Sequence, residues 1–189
     1  MRCICLFQCA ILAGCGGGSG GGSGANGFAG HDALLSDIAA MDVTPAEQLP
    51  TSGSVDYAGS AILNMPRQGG AIAYLGDLIV SVDFDTGPAA MVGSLSDFRT
   101  SGGDSLGGVL TISGASFDAD ADPELDYQFR AMLAGTLSQG GTDHALTGSL
   151  AGDYRGMQAA AMCGQIFGDV ETAGEVAIFD GSFAARAGP

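Results

Sequence analysis

The sequence predicts an all-β protein, an eight-stranded antiparallel up-and-down barrel. Three observations carry that expectation. From residue 54 onward apolar residues recur at every second position. Eight such stretches are spaced as hairpins with no βαβ rhythm, and Gly, Pro and Asp turn chemistry punctuates the gaps. A sandwich satisfies the same alternation and is the competing architecture.

The strands follow in order near 54–64, 76–85, 89–98, 107–117, 127–138, 144–154, 163–170 and 174–184. Leu78, Val80, Val82 and Phe84 alternate with Ile79, Ser81, Asp83 and Asp85. Tyr127, Phe129, Ala131, Leu133, Gly135 and Leu137 alternate with Gln128, Arg130, Met132, Ala134, Thr136 and Ser138. Leu146, Leu150 and Tyr154 face away from Thr147, Ser149 and Asp153. One apolar and one polar face per strand means a single core on one side of the sheet. Gly87-Pro88, Gly102-Gly103, Asp122-Pro123, Gly140-Gly141 and Thr172-Ala173-Gly174 supply the turns. Gly59, Gly93, Gly114, Gly135, Gly148 and Gly168 fall inside strands, where a small barrel needs places to bend. Residues 156–162, "GMQAAAM", read as a short helix between the sixth and seventh strands.

Ahead of the barrel, "DALLSDIAAM" puts Leu34, Ile38 and Met41 on one helical face, with Asp32 as the expected N-cap. Thr44-Pro45-Ala46-Glu47 is a capped turn that Pro50 ends. Residues 16–30 are nearly all Gly, Ser, Ala and Asn, the composition of a flexible tether with a typical reach of about 20 Å. His31 is assigned to the tether. The expected organisation is a leader at 1–14, a lipidated cysteine and tether at 15–31, a helical and extended lead-in at 32–50, and the barrel at 51–189.

The leader assignment rests on Leu12-Ala13-Gly14-Cys15, preceded by the apolar run Cys3 to Ile11 and the single charge of Arg2. This layout resembles a bacterial lipoprotein signal, with Leu12 to Cys15 as its lipobox. The resemblance implies diacylglyceryl transfer to the Cys15 thiol and cleavage after Gly14. Small side chains at Ala13 and Gly14 leave the backbone open to both steps. Each buried methylene of a palmitate-type chain contributes about 0.8 kcal/mol, and two chains are needed for stable anchoring. Gly16, rather than an aspartate, follows the cysteine, which fits export to the outer membrane.

Composition excludes several functions. Twenty-one acids, seventeen of them Asp, stand against six Arg and no Lys, for a net charge of −15. Nucleic acid is not an expected partner, since nothing here neutralises phosphates. The charge keeps a secreted protein soluble and holds it off anionic head groups. Of five cysteines, Cys3, Cys5 and Cys9 leave with the leader and Cys15 is acylated, so Cys163 stands alone as a small core residue.

Two motifs invite chemistry and fail its requirements. Gly103-Asp104-Ser105-Leu106 spells the hydrolase block of that lettering, which needs an Asp-x-x-His partner. The residues three before His31 and His144 are Phe28 and Gly141. Asp118, Asp120 and Asp122 alternate as a calcium loop begins, but Pro123 stands at the glycine position and Phe129 at the bidentate glutamate. No catalytic, cofactor-binding or metal-ligating residue is assigned; Cys15 is the one site residue.

"LPTSGSVDYAGSA", "VSVDFDTGPAAMVGSL", "LTGSLAGDYRGMQAAAMCGQIFG" and "FDGSFAAR" together resemble the β-barrel domain of the transferrin-binding protein B family of bacterial surface lipoproteins. The matching positions are Pro50, Gly53, Tyr57, Gly59, Val82, Asp83, Phe84, Gly93, Leu95, Gly152, Tyr154 and Gly156, within a span of roughly 49–185. Tyr57, Phe84 and Tyr154 are expected to fill the barrel. The resemblance implies a non-enzymatic, cell-surface binding protein, with iron, haem or host-protein acquisition as the setting. Transferrin binding does not transfer, because this chain has one barrel and no room for a handle domain. The alternative is a periplasmic or surface carrier holding a small apolar ligand inside the barrel. A filled interior favours a protein partner, and a large open cavity favours the carrier.

Overall fold

A computed structural model describes residues 27–67, 69–122 and 125–188. The eight strands are β1 Ser54–Arg67, β2 Gly70–Asp83, β3 Met91–Arg99, β4 Ser105–Phe117, β5 Phe129–Gln139, β6 Thr142–Arg155, β7 Ala161–Thr172 and β8 Glu175–Ala187. Each pairs antiparallel with the next, and β8 pairs with β1, so the sheet closes. That closure rules out the sandwich.

Alternation decides what lies inside. Tyr57, Ala61, Leu63 and Met65 of β1, Leu78, Val80 and Val82 of β2, and Leu146, Leu150 and Tyr154 of β6 are all buried in one continuous core. Phe84 joins them, as expected from the sequence. Outward positions carry Ser, Thr and Asp with separated apolar residues such as Ile79, Val92, Val109 and Met132. An apolar interior within a mixed exterior is the reverse of the alternation in membrane-spanning barrels. No helix among the described residues is long and apolar enough to cross a membrane.

Glycines let the rings fit. The Phe98 ring lies where a side chain on Gly76 would stand, and Phe183 Cζ would sit 2.7 Å from a Cβ on Gly152. A β-carbon on Gly59 would run into the Ala184 carbonyl of β8, so strand spacing there requires its absence. Register shifts at Leu75/Asp77, Leu95/Phe98 and Ser113/Ser116 add further bends on β2 to β4.

The sequence reading needs two corrections in helix placement. Residues 156–162 are not a helix. Met157–Ala159 form a single 3-10 turn, and β7 begins at Ala161, opposite Arg155. Gln158 and Ala159 both have positive φ, which a right-handed α-helix does not permit. Pairing of β6 with β7 overrides the helix propensity of the alanines, because it makes a ladder that runs the full length of β7, from His144↔Thr172 to Arg155↔Ala161. The α-helix among the described residues is instead α1, Phe28–Ala39, before the barrel. It starts earlier than the sequence suggested, with Gly27 rather than Asp32 at its N-cap. It takes in residues 28–31, which composition alone assigns to the tether.

Helix α1 lies on the outside of the barrel against β7, β8 and β1. Its Ile38 packs with Ala161, Cys163 and Ala184, and Leu34, Leu35 and Met41 pack around them. These positions face outward on β7 and β8, where the small side chains let the helix come close. The predicted burial of Cys163 holds, but beneath α1 rather than inside the barrel. Cys15, the leader and most of the tether lie outside the described residues.

Candidate functional site

The two ends of the barrel differ. At the end where the barrel segment enters and leaves, aromatic side chains close the interior. The Tyr154 ring lies 5.0 Å from Phe129, 5.9 Å from Phe84 and 6.3 Å from both Tyr57 and Phe117, centroid to centroid. Such tilted pairs each contribute about 0.5–1.5 kcal/mol beyond simple burial. Tyr57 donates its hydroxyl to the Ala159 carbonyl at 2.8 Å, and Tyr154 to that of Pro88 at 2.8 Å. Burial pushes both phenols well above their ordinary range, so they act as neutral donors.

The lead-in seals that end from outside. Val43 bridges to Arg155, the Thr44 N–H donates to the Tyr154 carbonyl at 2.8 Å, and Leu49 is buried. Beneath it lies a polar cluster that alternation alone assigns to solvent. Asp153 points outward on β6 yet is 2 % exposed, accepting from Arg155 Nη2 at 2.9 Å and from the Gln128 N–H at 3.1 Å. Gln128 donates to the Thr44 carbonyl and accepts from the Tyr154 N–H. Cys163 pairs with Asp153 across the β6–β7 ladder. Burial pushes its thiol up, against the opposing pull of Arg155. A thiol held protonated and covered by a helix is not a nucleophile.

The opposite end is open. A cavity of about 660 Å³ lies there among Pro66, Arg67, Gln139, His144, Val170, Thr172, Glu175 and Ala177. Apart from Ala173 in the β7–β8 turn, its walls are the ends of β5 through β8 and β1. Arg67 Nη2 donates to Gln139 Oε1 and, at 2.9 Å, to the Tyr74 hydroxyl. Because β1 and β5 stand on opposite sides of an eight-stranded ring, this contact spans the mouth. Tyr74, buried on β2, also donates to Gln139 at 3.2 Å. Beside this bar, His144 Nδ1 and Thr172 Oγ1 are 2.7 Å apart. Burial, and then the nearby Arg67 charge, lower the His144 pKa, while Asp143 opposes them.

The motifs singled out in the sequence do not converge here. Asp104 lies in the β3–β4 turn, where its N–H donates to Thr100 Oγ1 at 3.1 Å, and Ser105 opens β4. Both histidines have other partners, so Ser105 gains no base. His31 is not a tether residue: it is fully buried in α1, with Nδ1 3.0 Å from Ser60 Oγ and Nε2 3.0 Å from Ser182 Oγ. In the β4–β5 loop, Asp118 Oδ1 accepts from the Asp120 N–H. No group of three His, Cys, Asp or Glu side chains among the described residues could hold a metal ion.

Sequence reasoning missed the mouth. His144 and Thr142 continue the inward alternation of Leu146 and Leu150 toward the turn, and that continuation was the available signal. Fold and mouth together define a closed, apolar-filled eight-stranded barrel with one sealed and one open end. No protein-family model and no curated protein sequence matches the chain.

Proposed function

We propose that this chain is a non-enzymatic, surface-presented binding module, anchored in the outer membrane by lipid on Cys15. The observation that carries the reading is the filled barrel interior. Tyr57, Phe98, Phe129, Tyr154, Phe179 and Phe183 are all essentially inaccessible and occupy the space that a carrier of apolar ligands keeps open. A barrel so filled offers its outer face, its turns and its mouth to a partner. The motif resemblance to the transferrin-binding protein B barrel supports a role in binding a host or environmental protein, with iron or haem acquisition as its setting.

Residues between Cys15 and α1 would connect the lipid to the barrel. The net charge of −15 favours a partner with a basic face, whose capture weakens as salt rises. The test is affinity capture with the processed chain immobilised, at low and high salt. A stoichiometric protein partner that salt displaces is the expected result. Capture of no protein, together with a lipid or haem co-purifying inside the barrel, would overturn the reading.

A further inference from the structure

The mouth cavity carries an inference that does not depend on the lipid anchor or on a protein partner. Its volume lies within the roughly 300–1,000 Å³ typical of small-molecule sites. Its polar groups are unevenly used. Both side-chain bonds of Arg67 leave from Nη2, so Nη1 and Nε have no hydrogen-bond partner among the described residues. His144 is held through Nδ1, which leaves Nε2 without one. The bar to Gln139 and Tyr74 fixes the guanidinium, so little side-chain freedom is lost when its remaining donors are engaged. Pro66, Val170 and Ala177 add an apolar part to the same wall.

We propose that this cavity binds a small organic monocarboxylate, its charge on Arg67 and His144 Nε2 and its hydrocarbon part on Pro66, Val170 and Ala177. A guanidinium matches a carboxylate in two parallel hydrogen bonds. Charge sets the limit at one. A single arginine stands in the wall with Glu175, and the chain as a whole is strongly acidic, so a doubly charged anion meets more repulsion than one guanidinium offsets. The Arg67 field that lowers the His144 pKa is also what an anion placed between them would relieve.

The test is calorimetric titration of the purified chain with sodium benzoate, with benzamide as the neutral isostere and inorganic phosphate as the dianion. Benzoate is expected to bind, and benzamide and phosphate on the order of tenfold more weakly or worse. Arg67→Gln should lose benzoate binding by a similar factor. Ala177→Trp, which fills the cavity, should abolish it while circular dichroism stays that of the native barrel. In NMR, benzoate but not benzamide should shift the His144 ring resonances. Equal affinity for benzoate and benzamide, no benzoate binding at tens of millimolar, or full binding by a folded Ala177→Trp chain would each overturn the assignment.

Discussion

His31 Nδ1 lies 3.0 Å from Ser60 Oγ, and that contact joins a helix before the barrel to the outer face of its first strand. With Ser182 on the other ring nitrogen, one imidazole connects α1 to both strands of the closing β1–β8 seam. The ring is buried completely, and burial, the largest influence, lowers its pKa below the ordinary 6.5 despite the opposing charge of Asp32.

A pH dependence follows, and its sign is fixed. Well above pH 6.5 the ring is neutral in both folded and unfolded chains, and the helix attachment is fully present. As pH falls below that value the unfolded chain takes up a proton that the folded one resists, so stability drops until the lowered folded pKa is passed. His144 acts in the same direction. Urea midpoints should therefore decline from pH 7.5 to pH 5, and His31→Gln should flatten the decline more than His144→Gln. An unchanged slope in His31→Gln would contradict the attachment.

The aromatic filling predicts an intolerant glycine. A methyl on Gly152 would meet both the Cys163 carbonyl and the Phe183 ring, which cannot both retreat. Gly152→Ala should cost about 1–3 kcal/mol or more through overpacking, and Phe183→Ala about 3–5 kcal/mol through the cavity it leaves. Denaturant unfolding measures both. A neutral Gly152→Ala would mean that the ring does not lie where the fold puts it.

The cysteine beneath α1 should be silent. In a chain that begins at Gly16, where Cys163 is the one cysteine, this thiol should resist a disulfide reagent under native conditions and react on unfolding, since burial both covers it and disfavours its thiolate. Native labelling at the rate of a free thiol would show that α1 does not cover it.

Period-two alternation made the barrel legible, because strands that line a single core must bury every second residue. Tyr57, Phe84 and Tyr154 pointed inward for that reason. Alternation says nothing of what covers the outer face, so buried Asp153 and Cys163 came from contacts distant in sequence. Glycines before Asp32 obscured the first turn of α1, although His31 stands on the same helical face as Leu34 and Ile38. The alanines after Gly156 suggested a helix because propensity is local, whereas the β6–β7 ladder is not. The mouth was hidden in turn-flanking residues, whose polar character is ordinary until the closed ring brings Arg67 and Gln139 across it.

The anchor is tested most directly by metabolic labelling with a fatty-acid analogue, followed by membrane fractionation, of the native chain and of Cys15→Ser. The account predicts labelled protein in the outer-membrane fraction for the native chain. For Cys15→Ser it predicts unlabelled protein released from the membrane. Retention of Cys15→Ser in the membrane at the native level, or a native chain that takes up no label, would contradict it.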